Sequence, residues 1–116
     1  MQPRPHLKLK SEFDYLRSAG RKRVTGTFVF VAAPSPDGSL RCGVICSKKF
    51  SLLAVRRNRA RRLLYESFRL LEKNISPVWL LLIPRSPIME RKCQDVAAEL
   101  EKTLKIAGLW REEPNG

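Results

Sequence analysis

The densest chemistry in this chain of 116 residues is carried by Arg56-Arg57-Asn58-Arg59-Ala60-Arg61-Arg62. A guanidinium is a planar fork of donors that pairs bidentately with phosphate and stacks on bases, which an ammonium does not do. Glu66 is the one acid between residues 56 and 69, whereas an ordinary solvated helix face would interleave Glu four residues from its cations. Lys48 and Lys49 precede the run and extend its charge. Residues 41–73 hold ten basic and two acidic residues, and the whole chain has a formal net charge of +12. Positive charge concentrated in this way repels itself unless a polyanion neutralises it, and nucleic acid is the default polyanion. An anionic membrane fits less well, because no amphipathic stretch joins a basic face to an exposed Trp or Phe face. No apolar run is longer than residues 78–83, far short of the roughly 20 residues of a membrane span.

Catalytic side chains are scarce. His6 is the one histidine, so the paired histidines of common ribonucleases cannot be assembled. The Asp and Glu residues form no cluster placed to hold two metals. Cys42, Cys46 and Cys93 are odd in number, which argues against a disulfide framework. In a strand, Cys42 and Cys46 would stand roughly 13 Å apart at Cα, beyond the limit of about 7 Å for a bridge. With no Cys-x-x-Cys spacing for zinc, the three read as buried free thiols suited to a reducing cytoplasm. Residues 1–10 lack the apolar segment of a secretory signal.

The elements that must position the arginines follow from periodicity. The length suits one domain over residues 11–110, with a mobile basic arm at 1–10 and a flexible tail at 111–116. Ser11 reads as the N-cap of a helix that stops at Gly20 and carries Phe13 and Leu16 on one side. Residues 27–33 are β-branched and aromatic and read as a strand, with Phe28 and Phe30 toward the core and Val29 and Val31 on the other face. Pro34-Ser35-Pro36-Asp37-Gly38 is turn chemistry, so residues 40–47 are expected to return as the antiparallel neighbour. Residues 78–83 read as a strand buried on both faces. Between these strands, residues 54–72 form a helix whose stripe is Ala60, Leu63, Leu64, Phe68 and Leu71. Asn58, Arg62, Tyr65 and Arg69 fall on its outer pole, with Arg57, Arg59 and Arg61 on the flanks. A last helix over 88–107 buries Cys93, Val96, Ala97, Leu100, Leu104 and Ala107 and ends before Gly108. Strands and helices segregated in this order give an α+β layered domain, and a strand–helix–parallel-strand unit ordinarily crosses over right-handed. No leucine heptad follows the basic run and no short helix with a Gly turn precedes it, so the DNA-binding zipper and helix-turn-helix geometries do not apply. On A-form RNA such a helix would contact backbone and shape.

Ser47-Lys48-Lys49, seven residues, Arg57-Asn58-Arg59-x-Arg61-Arg62-Leu63 and then Glu66-Ser67-Phe68 together resemble the protein subunit of bacterial ribonuclease P. The resemblance extends from Phe13 through Gly20 and residues 28–31 to the C-terminal helix. It implies a two-layer αβββαβα sandwich with a small mixed sheet and a left-handed βαβ crossover that carries the Arg-Asn-Arg helix. It also implies a ribonucleoprotein that removes the 5′ leader from precursor tRNA, with Mg²⁺ bound mainly by the catalytic RNA partner and none bound tightly by the protein. Carried over by position, Lys48, Lys49, Arg57, Asn58, Arg59, Arg61 and Arg62 would bind the RNA subunit, while Phe13, Arg17 and Val31 would line a cleft for the leader. The resemblance implies no catalytic residue on the protein, no DNA partner and no membrane partner, and a cytoplasmic location. The rival reading is a structural rRNA-binding protein without enzymatic assembly.

Overall fold

A computed structural model of the chain describes residues 10–112. The expected arm at 1–10, except for Lys10, and the tail beyond Glu112 lie outside the described residues, as does His6. The elements run α1 (Lys10–Ala19), β1 (Arg21–Val24), β2 (Phe28–Pro34), β3 (Arg41–Val44), α2 (Ala54–Leu71), β4 (Val78–Pro84) and α3 (Cys93–Ile106). The four strands form one mixed sheet in the order β1-β2-β4-β3, with β1–β2 and β2–β4 antiparallel and β3–β4 parallel.

The expected hairpin between the second and third strands does not form. β4 lies between them, pairing Val29 with Ile83 and Val31 with Leu81 on one edge and Cys42 with Leu80 on the other. The reason is burial. Val-Trp-Leu-Leu-Leu-Ile presents apolar side chains to both faces, and only an interior strand has both faces covered and both edges bonded. The four-residue β3, which begins with Arg41, takes the edge. Residues 35–40 then span two inter-strand gaps, roughly 10 Å, and α2 supplies the crossover that parallel pairing requires. β1 has no apolar alternation to announce it: all four residues of Arg21-Lys22-Arg23-Val24 are exposed. Its three cations protect the outer edge from pairing with another chain.

Two apolar layers result. Phe28, Phe30, Cys42, Val44, Leu80 and Leu82 pack against Ala60, Leu64 and Phe68 of α2 and Val96, Leu100 and Leu104 of α3. On the opposite face Val31, Ala33, Trp79 and Leu81 pack under Leu16 of α1. Ser11 lies inside α1 rather than at its cap. The last helix begins at Cys93, not at Ile88, because Ser86–Glu90 forms a separate 3₁₀ turn that buries Ile88 independently. Asp95 accepts the Lys92 N–H at 3.2 Å to open α3, and Gly108, at φ 76°, closes it. Beyond it, the Arg111 N–H donates to the Asn74 carbonyl at 2.6 Å and Asn74 Nδ2 donates back to the Arg111 carbonyl at 2.8 Å.

Gly20 joins α1 to β1 at a close approach. A Cβ there would lie 2.3 Å from the Leu16 carbonyl oxygen and 2.4 Å from Val31 Cγ1. Gly20→Ala should therefore destabilise the domain by about 2 kcal/mol, read as a lowered urea midpoint with an unchanged slope. An unchanged midpoint would show that α1 is free to shift off the sheet.

Candidate nucleic-acid interface

α2 is anchored by its inner stripe and by the link that precedes it. Ala60, Leu64 and Phe68 are fully buried, and Leu63 and Leu71 half-buried. Ser67 shares this buried side, a polar residue that periodicity passes over; its hydroxyl donates to the Leu63 carbonyl at 2.7 Å, so burial leaves it satisfied. In the link, the Ser47 hydroxyl accepts the Lys49 N–H at 3.2 Å and the Ser51 hydroxyl accepts the Leu53 N–H at 3.1 Å. Arg57 Nη1 donates to the Ser51 carbonyl at 2.8 Å, tying the first turn of the helix to the chain that enters it.

The sequence-predicted arginines divide into two groups. Asn58, Arg59 and Arg62 are exposed, while Arg57 and Arg61 are half-buried on the flank toward Cys46. Burial pushes the Cys46 thiol up, against the opposing pull of Arg61 and Arg57. Lys48 and Lys49 stand exposed in the turn beyond β3. Lys49 also helps line a recess of about 420 Å³ with Phe50, Ile83, Pro84 and Arg85. Among the described residues, Arg56, Arg57, Arg59, Arg61 and Arg62 form no ion pair; the pairs that do form join Arg41 to Glu12 and Asp37, and Lys105 to Glu101. Tyr65 does not belong to the outer pole. Its long side chain leans onto β3, where the hydroxyl accepts the Val44 N–H at 3.2 Å, and burial pushes its acidity down and its pKa up. A pole angle ignores the reach of an aromatic side chain beside an open strand edge.

The opposite face of the sheet carries the second predicted set. One side of α1 is fixed by Tyr15, whose hydroxyl donates to the Pro34 carbonyl at 2.7 Å and whose ring meets Trp79 edge-on at 5.7 Å. Glu12, on the same side, pairs with Arg41 at 3.3 Å, and that guanidinium lies over Trp79. Helical geometry then turns Phe13 and Arg17 the other way. Phe13 is half-buried against the Leu16 layer and Arg17 is exposed. Val31 is not with them at the surface: it is 8% exposed, beneath Leu16 and Gly20. The apolar row at the border of this layer is Val24, which is exposed, and Val29 and Ile83, which are half-buried, in register across three strands, with the half-buried Ile45 next to β4's end through its N–H bond to Leu82. Sequence reasoning passed over these four; the alternation that turned Phe28 and Phe30 inward marks Val29, but only the strand order brings Ile83 and Ile45 beside it.

A family model described as Ribonuclease P matches residues 1–108. The chain belongs to the Ribonuclease P family. Among its relatives, the Ribonuclease P protein component of an Exiguobacterium species is 32% identical over 113 residues, covering 97% of this chain and 98% of that one. The Ribonuclease P protein component of Legionella pneumophila (strain Corby) is 32% identical over 102 residues, covering 87% and 88%. Among solved structures, the RNase P protein from Thermotoga maritima matches with a TM-score of 0.76 at 28% identity, over 89% of this chain and 97% of that one. The Staphylococcus aureus RNase P protein shares the fold, with a TM-score of 0.81 over 94% of this chain and 100% of that one, at 24% identity. Membership makes the chain a component of ribonuclease P, a tRNA-processing nuclease with an RNA partner.

The two kinds of arginine should behave differently. Arg62→Ala should leave the urea midpoint and the helical circular dichroism unchanged, whereas Arg57→Ala should cost about 1 kcal/mol by freeing the Ser51 carbonyl. Equal stabilities would mean that the Arg57–Ser51 bond does not hold the link in solution.

Proposed function

We propose that this chain is the protein subunit of the ribonuclease P ribonucleoprotein that removes the 5′ leader from precursor tRNA, acting with a catalytic RNA in the cytoplasm. The observation that carries the reading is the arginine helix, which forms no ion pair among the described residues and stands on a domain whose family match spans residues 1–108. In this reading Lys48, Lys49, Arg57, Asn58, Arg59, Arg61 and Arg62 bind the RNA subunit. Folding prepays the cost of ordering them: the buried stripe fixes the helix and the Ser51 carbonyl holds Arg57. Each phosphate neutralised releases counterions, so the contribution to affinity is strongly salt-dependent.

The leader occupies the opposite face, along the partly exposed row of Val24, Val29, Ile83 and Ile45 beside Phe13 and Arg17, with Val31 in the layer beneath. A single strand needs cations for its backbone and an aromatic face for its bases, and Arg17, Lys22 and Phe13 provide these types of group. Bond cleavage is assigned to the RNA. In this reading Mg²⁺ is bound mainly by the RNA and none is bound tightly by the protein. The protein's part is to bring the leader and the catalytic RNA together and to neutralise charge where two polyanions meet.

Reconstitution tests this directly. With a catalytic RNA of the family, the protein should stimulate leader removal at low Mg²⁺ and should cleave nothing when freed of RNA. Binding to ribosomal RNA without any such stimulation would favour the structural rRNA-binding reading. Phe13→Ala should weaken affinity for precursor tRNA about fivefold, the lower end of the stacking range, while affinity for mature tRNA stays the same. Equal losses for both, with a lowered melting temperature, would make Phe13 a core residue only.

A further inference from the structure

The arginine helix ends in an apolar tip that phosphate binding does not explain. Leu52 is 81% exposed, Leu53 59% and Val55 72%, three large apolar side chains in four residues. They stand immediately before Arg56 and Arg57, and Val55 continues into a recess of about 480 Å³ lined by Arg56, Arg59, Met89 and Glu90. The recess joins apolar walls to cations and one carboxylate, so it offers a stacking surface, phosphate donors and an acceptor for base N–H groups.

We infer that Leu52, Leu53 and Val55 form an end-on plug that seats against unstacked nucleobases of the catalytic RNA, with the adjoining recess accepting one base. The inference rests on the proposed RNA partnership. Charge complementarity selects the occupant. At about 100° per residue, Arg56, Arg57, Arg59, Arg61 and Arg62 surround the helix on every side except the buried stripe. A flat bilayer could meet only about half of that circumference, whereas a folded RNA can enclose it. A second copy of this chain would bring like charges face to face. A partner that is anionic around the shaft and apolar at the tip is a nucleic acid with exposed base faces.

The test is the double variant Leu52→Ser, Leu53→Asn, measured for affinity to the catalytic RNA over a series of salt concentrations. Leu53 occupies the N-cap of α2 without a side-chain cap bond, and Asn is a favoured cap, so the variant should fold. Affinity should fall about tenfold, as expected for losing the burial of an apolar side chain, while the dependence of log affinity on log salt stays the same, because no phosphate contact is removed. Leu52→Met, Leu53→Met should restore most of the affinity by keeping the tip apolar. Unchanged affinity in the serine–asparagine variant would overturn the inference, as would a loss accompanied by a shallower salt dependence. Sedimentation with phosphatidylglycerol–phosphatidylcholine vesicles that the double variant abolishes, with RNA affinity intact, would assign the tip to a membrane instead. A concentration-dependent dimer lost in the variant, again with RNA affinity intact, would assign it to a second copy. If the unaltered protein did not bind the RNA, the proposed function itself would fall and this inference with it.

Discussion

The arrangement of the molecule depends on the burial of β4 on both faces. Leu80 and Leu82 point toward α2 and α3, Trp79 and Leu81 toward α1, and no solvent-exposed position on a small sheet satisfies both sets. Fixing β4 inside the sheet sends β3 to the edge and makes β3 and β4 parallel, so the chain between them must cross from one end of the sheet to the other. That crossing is α2. The arginine helix is thus placed by the central strand's hydrophobicity, and of the arginines only Arg57, through its bond to the Ser51 carbonyl, is seen to help hold it.

The same constraint separates two surfaces. α2 and α3 cover one face, while α1 covers only part of the other and leaves Val24, Val29, Ile83 and Ile45 as its open border. Phe28 and Phe30, the strand's own aromatics, are spent on the helix-covered layer. On the other face the aromatics are Trp79 of β4, Tyr15, which is bonded to the Pro34 carbonyl, and the half-buried Phe13 of α1.

Charge follows a division of labour. Among the described residues, the ion pairs form away from α2: Asp37 and Glu12 hold Arg41 at the turn before β3, and Glu101 holds Lys105. Hydrogen bonds from Ser39 hold the Asp37 carboxyl down to about 2, so it remains ionised and keeps that turn closed at any physiological pH. Two of the thiols, Cys42 and Cys46, offer no reactive counterpart. Burial pushes both Cys42 and Cys46 above the ordinary thiol range, which keeps them protonated and poorly nucleophilic.

The sequence by itself determined the elements with a strong period or a strong composition. The stripe at Ala60, Leu64 and Phe68, the apolar run at 78–83 and the inward pair Phe28 and Phe30 could be read because each reports burial along a single element. The arginine run, dense in charge and nearly free of acids, likewise marked its surface without help from the fold. Only tertiary structure decided which strands are neighbours, since a turn such as residues 34–38 reverses the chain but does not choose its partner. It also decided that Tyr65 turns in to β3, that Val31 lies beneath Gly20, and that Ile45 and Ile83 join Val29. These are relations between residues distant in sequence, and they are settled by which strands take the interior positions of the sheet. Periodicity describes a face; packing chooses what covers it.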